Sequence, residues 1–293
     1  MIKIKYFLCA LVVGLVLYAC NNSSNSTVDN FDHEAQAIID NDSIVEFLKN
    51  NYFNEDYDSI MPIEAGKAPL SDDDRLLTRK VNEYGIDYTY YVFVSEQGKP
   101  DEDKGFPTVV DSIFPVYKLR TLVNSTEVKK EQDLTNPTWF NPLDIINGVR
   151  GWLHAFTHFK NGNNTTDNGP ITYEKTGKGF FILPSGLSYR NSGRLPNKIL
   201  LYYVELYDFK KDTDHDRDHI ASFDEDIDED GKPWNDDTDS DGVPDFLDND
   251  DDNDNILTKD EDANGDNDPR NDFSDPNNPT LPDYRNRKIR TKK

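Results

Sequence analysis

DTDSDGVPDFLDNDDDNDNILTKDED, residues 237–262, limits what this chain can fold into more than any other stretch. It offers a handful of apolar side chains, too few to bury a core, while its carboxylates repel one another. Such a segment stays extended unless cations gather it in. Residues 212–268 hold 25 acids against three bases (Arg217, Lys232, Lys259), which is nearly all of the formal net charge of −24. The rest of the chain is close to neutral. The molecule therefore has at least two physically different parts, and function has to be sought in each.

The carboxylates are spaced, not merely abundant. Asp237, Asp239, Asp241, Gly242, Asp245 and Asp248 read D-x-D-x-D-G-x-x-D-x-x-D. Alternate carboxylates in a tight loop aim their oxygens at one centre, and glycine at the sixth place permits the sharp turn. That is the ligand logic of calcium loops, with oxygens at about 2.3–2.6 Å. Asp250, Asp252 and Asp254 come next, with Glu261 at the twelfth place as a bidentate candidate. Asn255 stands where glycine would, and asparagine tolerates the left-handed turn. Asp214, Asp216, Asp218 and Glu225 repeat this form 36 residues earlier. The loops resemble thrombospondin type 3 repeats without their cysteines, and the resemblance implies structural Ca2+. Magnesium suits carboxylate-rich, flexible loops less well. A disordered acidic spacer would have no reason to repeat. The expectation is a calcium-loop array with little regular structure over residues 212–275, then a basic tail over 276–293.

The N-terminus has a short basic start (Lys3, Lys5), an apolar run from Tyr6 to Ala19, and then Cys20. The apolar run has signal-peptide length and is short for a membrane span. Leu17-Tyr18-Ala19-Cys20 resembles the bacterial lipoprotein signal, which implies cleavage and lipidation at Cys20. An uncleaved membrane anchor is the other reading. Residues 21–85 are expected to form a tether and a helical extension; Asp42 or Ser43 could cap a second helical piece there. With Cys9 removed and Cys20 lipidated, no thiol remains for a disulfide. Location is expected at a membrane surface outside the cytoplasm, periplasmic or outer-membrane, and export with an acidic balance argues against nucleic acid.

From Ile86 the texture changes. YTYYVFVSE, FPVYKLRTLV, FFILP and KILLYYVELYDF are rich in aromatic and β-branched residues, and GVRGWLHAFTHF between them has helical spacing. Residues 86–211 therefore read as an α+β domain, mostly antiparallel sheet with one short helix. Gly151-Trp152, then Ile182-Leu-Pro-Ser-Gly-Leu-Ser-Tyr189, then Leu195-Pro-Asn-Lys-Ile-Leu-Leu-Tyr-Tyr-Val-Glu-Leu206 resemble, in order, three motifs of the FKBP-type peptidyl-prolyl isomerases. The resemblance implies an FKBP-like antiparallel sheet wrapped on a short helix.

An X-Pro bond favours trans by only about 0.5–1 kcal/mol, yet its rotation barrier is roughly 18–20 kcal/mol. The twisted amide has lost conjugation, so an apolar aromatic pocket favours it over the planar one without nucleophile or cofactor. By the resemblance, Trp152 is the floor under the proline ring, and Tyr117, Phe140 and Tyr202 are walls. Val149 offers its backbone N–H to the substrate carbonyl, and Tyr189 its hydroxyl to the bound peptide. Taken singly, each of these aromatics is equally an ordinary core or strand residue. The chain departs from the family where a phenylalanine–aspartate pair is usual: the nearest residues are Val128 and Lys129. His154 and His158 have the i, i+4 spacing of metal ligands but no neighbouring glutamate or third ligand, so a solvated helix face is expected. Three functions are open to such a chain: a lipid-anchored isomerase or folding assistant for proline-containing segments of exported proteins, a catalytically weak or inactive binding module, or a structural calcium-binding surface lipoprotein.

Overall fold

In the computed structural model, residues 30–146 and 148–290 are described; the signal-like segment and Cys20 lie outside the described residues. The long aromatic runs form strands, and their continuous hydrophobicity has a simple cause: the sheet is covered on both faces. Two small hairpins stand apart from it, β1 (Asn51–Asn54) with β2 (Ser59–Pro62), and β7 (Asn163–Asn164) with β8 (Tyr173–Glu174). The strands of the main sheet are β3 (Leu76–Glu83), β4 (Ile86–Glu96), β5 (Ser112–Leu122), β6 (Val128–Leu134), β9 (Gly177–Leu183) and β10 (Leu200–Lys210). They pair in the order β3-β4-β9-β10-β5-β6, antiparallel throughout.

One face of the sheet, with Tyr91, Phe93, Phe180, Ile182 and Leu201, is covered by α1 (His33–Asn50) through Ile44, Phe47 and Leu48. Phe93 and Phe180 stack there with ring centroids 4.8 Å apart. On the opposite face a short α2 (Pro142–Ile146) leads into α3 (Gly151–Ala155) and the turn Phe156–His158. These meet Tyr88, Val92, Phe181, Leu183, Leu200, Tyr202, Val204 and Leu206. The architecture is thus the antiparallel sheet wrapped on a short helix that the sequence implies, with a second covering layer. That layer comes from the N-terminal extension, and the sheet itself draws in residues upstream of Ile86. α1 runs unbroken through Asp42 and Ser43; the Ser43 hydroxyl caps nothing and instead donates back to the Ile39 carbonyl at 2.8 Å.

Residues 211–290 contain 3-10 turns and no strand. Ile220, Phe246 and Tyr284 are its main buried apolar side chains, whereas Asp218, Glu225, Asp245, Asp251, Asp254 and Glu261 are buried acids. The interior of this half is carboxylate, as the scarcity of apolar residues requires. Among the described residues no helix is long and apolar enough to cross a membrane.

Candidate functional site

The aromatic site is built on α3. A Cβ at Gly151 would lie 2.7 Å from both Leu183 methyl carbons, so glycine lets the helix start hard against β9 and seats Trp152 at the sheet. Tyr117, Phe140 and Tyr202 approach the indole at centroid distances of 5.1, 5.1 and 5.2 Å, all near-perpendicular. Edge-to-face contacts suit the ring quadrupoles and fix the rings relative to one another. Trp152 and Tyr202 are buried, while Tyr117, Phe140 and Tyr189 are half-buried at the rim. Burial, with Tyr189 and Tyr117 close by, pushes the Tyr202 hydroxyl well above its ordinary range.

One buried side-chain donor here, the Trp152 Nε1–H, has no hydrogen-bond partner among the described residues. The Val149 carbonyl accepts the Trp152 N–H at 3.0 Å. Tyr189 comes just after the turn Ser185–Leu187, and that turn is pinned from α1. Asp40 Oδ2 accepts the Ser185 N–H at 2.7 Å and the Ser185 hydroxyl at 2.6 Å. All six expected pocket residues therefore belong to one neighbourhood.

The strand beside it differs from the expectation. A register shift between Leu119 and Arg120 sets Tyr117 opposite Leu134 and Leu119 opposite Gln132. A one-residue shift exchanges the faces of a strand. Val128, opposite Leu122, packs on the α1 side and Lys129 pairs with Glu131 at 2.9 Å, so neither takes the place of the missing pair. The rim instead carries Arg194, whose guanidinium donates to Gln132 Oε1 at 2.5 Å. It lies close enough to Tyr117 to act on its hydroxyl. Arg194 has no signal in the sequence beyond a position in a polar loop.

The histidines do not form a solvated face. His154 is buried with Nε2 2.8 Å from Glu83 Oε1, and Arg150 Nη1 donates to Glu83 Oε2 at 2.8 Å. Burial alone would raise the Glu83 carboxyl, but these two partners outweigh it and hold the group below its usual range. The cause is β3, an element outside the expected domain, which brings Glu83 across the helix. His158 is pushed down to about 4, by burial first and then by Arg79 and His154.

The acidic half contains five loops of one kind. In each, the first carboxylate accepts the N–H of the sixth residue: Asp214 from His219, Asp226 from Gly231, Asp237 from Gly242, Asp250 from Asn255 and Asp262 from Asn267, at 2.7 to 3.4 Å. Every sixth residue has a φ between 74° and 97°, where glycine or asparagine is favoured. Sequence spacing reveals the loops at 214, 237 and 250 but not those at 226 and 262, themselves 36 residues apart. The available signal for that pair is the shared P-x-N-D ending (Pro233 to Asp236, Pro269 to Asp272).

Ligand oxygens converge in four groups: Asp216, Asp218, Glu225 and Asp251; Asp226, Asp228 and Asp230; Asp237, Asp239 and Asp241; Asp250, Asp252 and Asp254. Asp214 closes its loop and stands outside the first group, which takes Asp251 instead. Both oxygens of Asp245 are occupied by the Thr238 N–H and hydroxyl at 2.7 Å, and Asp248 Oδ1 accepts the Asp250 N–H at 3.0 Å. Glu225, Asp251 and Glu261 are buried with both oxygens lacking a donor among the described residues. Burial, then mutual repulsion, pushes Glu225 up to about 12, Asp251 to about 10 and Glu261 to about 9. Oxygen-only groups of this charge fit a hard divalent cation.

The array is joined to the helix of the aromatic site. Trp234 packs on that core, with Arg150 5.4 Å above its ring and the His154 ring 6.0 Å away edge-on.

Residues 215–283 match a family model described as BamM C-terminal. No curated protein sequence matches the chain. Among solved structures, a peptidyl-prolyl cis-trans isomerase from Pseudomonas syringae pv. tomato is similar at 17% identity and a TM-score of 0.33, covering 48% of this chain and 85% of that one. FkpA from Escherichia coli is similar at 21% identity and a TM-score of 0.33, covering 69% and 81%. The N-terminal domain of FKBP42 from Arabidopsis thaliana gives 16% identity, a TM-score of 0.32, and coverage of 50% and 100%.

Proposed function

We propose that the chain is a prolyl-peptide-binding FKBP-like protein that acts as a cis/trans isomerase or folding assistant on exported proteins. It carries a calcium-ordered acidic array and is tethered to a membrane outside the cytoplasm through lipid on Cys20. The observation that carries this reading is the buried Trp152 indole, approached edge-on by Tyr117, Phe140 and Tyr202, with its own Nε1–H lacking a partner among the described residues. A proline ring fits an apolar floor of this kind, and a donor for the preceding carbonyl steadies the amide as it twists. A BamM-type C-terminal segment and a lipoprotein-type N-terminus together support an outer-membrane setting.

A second reading, binding without appreciable catalysis, is favoured by one specific feature. No aromatic–acid pair flanks the floor on β6, and the rim there is Gln132 with the cation Arg194. NMR exchange spectroscopy of an X-Pro peptide with the full chain in calcium separates the two. Acceleration that disappears in Trp152→Ala supports the isomerase. Peptide chemical shifts that move without acceleration support the binding module, and no interaction overturns both.

A further inference from the structure

The stretches that begin at Asp214 and Asp250 are built alike, the second longer by two residues before its Pro-Asp-aromatic turn, but they end differently. After Pro244-Asp245-Phe246 the chain continues through Asp248, Asp250, Asp251 and Asp252. After Pro282-Asp283-Tyr284 it continues through Asn286, Lys288, Ile289 and Arg290, with Arg285 and Arg287 alongside. The correspondence is structural. The Thr238 N–H donates to Asp245 Oδ1 as the Ser274 N–H donates to Asp283 Oδ1, each at 2.7 Å. Phe246 and Tyr284 occupy matching buried places, at 1% and 4% exposure.

Beyond each of these aromatics the chain turns back on an acidic loop that precedes it. From the first stretch, Asp251 returns to Asp216, Asp218 and Glu225, with ligand atoms all within 4.8 Å of one another. From the second, Arg290 returns to the equivalent loop, and its Nε lies 3.5 Å from Asp254 Oδ2. One loop is closed by a further carboxylate and the other by a guanidinium. Three members of the first cluster are enclosed: Asp218 and Glu225 are fully buried and Asp251 is 1% exposed, with Glu225 and Asp251 lacking a donor on either oxygen among the described residues, while Asp216 is half-buried.

We propose that Asp216, Asp218, Glu225 and Asp251 form one divalent-cation site shared between the two repeats, and that Arg290 caps the matching loop of the last repeat. The ion at the shared site clamps the second repeat to the first. At the Asp250 loop Arg290 supplies positive charge where the Asp214 loop receives an acid, so calcium binds there more weakly.

This inference rests on reading the array as calcium-binding, and the test keeps the two apart. Calcium titration of the full chain by calorimetry is combined with limited proteolysis across the array. The expected result is a tight class that weakens by about tenfold or more in Asp251→Asn, with cleavage between the repeats appearing in calcium. Arg290→Ala is expected to tighten the weaker class several-fold at low salt, and less at high salt. No calcium uptake by the unaltered chain overturns the calcium reading and the shared site together. Uptake and protection unchanged by Asp251→Asn overturn the shared site alone, and an unchanged weaker class in Arg290→Ala overturns the cap.

Discussion

Asp40→Ala tests how far the N-terminal helix belongs to the site. Asp40 is 2% exposed, and one of its oxygens takes both the Ser185 N–H and hydroxyl; the other accepts from Gln36 Nε2 at 2.8 Å. Ser185 is equally buried, so water cannot readily replace the lost acceptor. Two hydrogen bonds to a charged group are worth about 1.5–3 kcal/mol each, and stranding their donors adds to the loss. Relief of the buried carboxylate's own desolvation offsets part of this, leaving a net loss of about 2–4 kcal/mol. Asp40→Asn keeps the volume and one acceptor, and is expected to lose about half as much. Urea unfolding of the full chain in calcium, monitored by circular dichroism, measures both variants. The same variants should bind an X-Pro peptide more weakly, because the freed turn carries Tyr189. A loss below about 0.5 kcal/mol for Asp40→Ala would refute the argument that this carboxylate holds the turn.

Trp152→Ala removes a buried indole and is expected to lower stability by about 3–5 kcal/mol while abolishing peptide binding. Arg194→Ala, read by calorimetry with acidic and neutral X-Pro peptides, is expected to weaken the acidic peptide more. His158 is neutral in the folded chain, whereas the unfolded imidazole takes up a proton near its ordinary pKa of about 6.5. Its contribution is therefore whole above about pH 6.5 and is lost as the pH falls towards 4. Melting temperatures of the unaltered chain and His158→Gln should converge over that window, and parallel curves would contradict this. Trp234→Ala is expected to broaden the amide signals of α3 (Gly151–Ala155) by NMR; unchanged signals would mean that the array leaves the helix alone.

The sheet and the aromatic cluster around Trp152 are legible in the sequence because both rest on local pattern. Gly151-Trp152 and the aromatic strands announce themselves within a few residues. Features set by long-range pairing are not. The Leu119/Arg120 register shift decides which side chains of β6 face Tyr117, and no local pattern marks it. Glu83 reaches His154 from an edge strand 71 positions away in the chain, which turns an expected solvated face into a buried hydrogen-bonded contact. Phe47 and Leu48 read as part of a helical extension, but what they cover is not legible, because only the folded sheet shows a second face needing cover. In the array the reverse holds: loop spacing is visible, but a ligand that crosses between repeats, such as Asp251, has no fixed offset to read.

Trp234 changes what counts as a part of this molecule. A helix of five residues has no stability of its own. α3 is held by the sheet on the Trp152 side and by the array's indole over Arg150 and His154. A cut after the last strand, where composition draws the border, would leave the helix braced from one side. The border between apolar and acidic sequence is thus a chemical one. The mechanical unit runs across it, through the packing of Trp234 on Arg150 and His154.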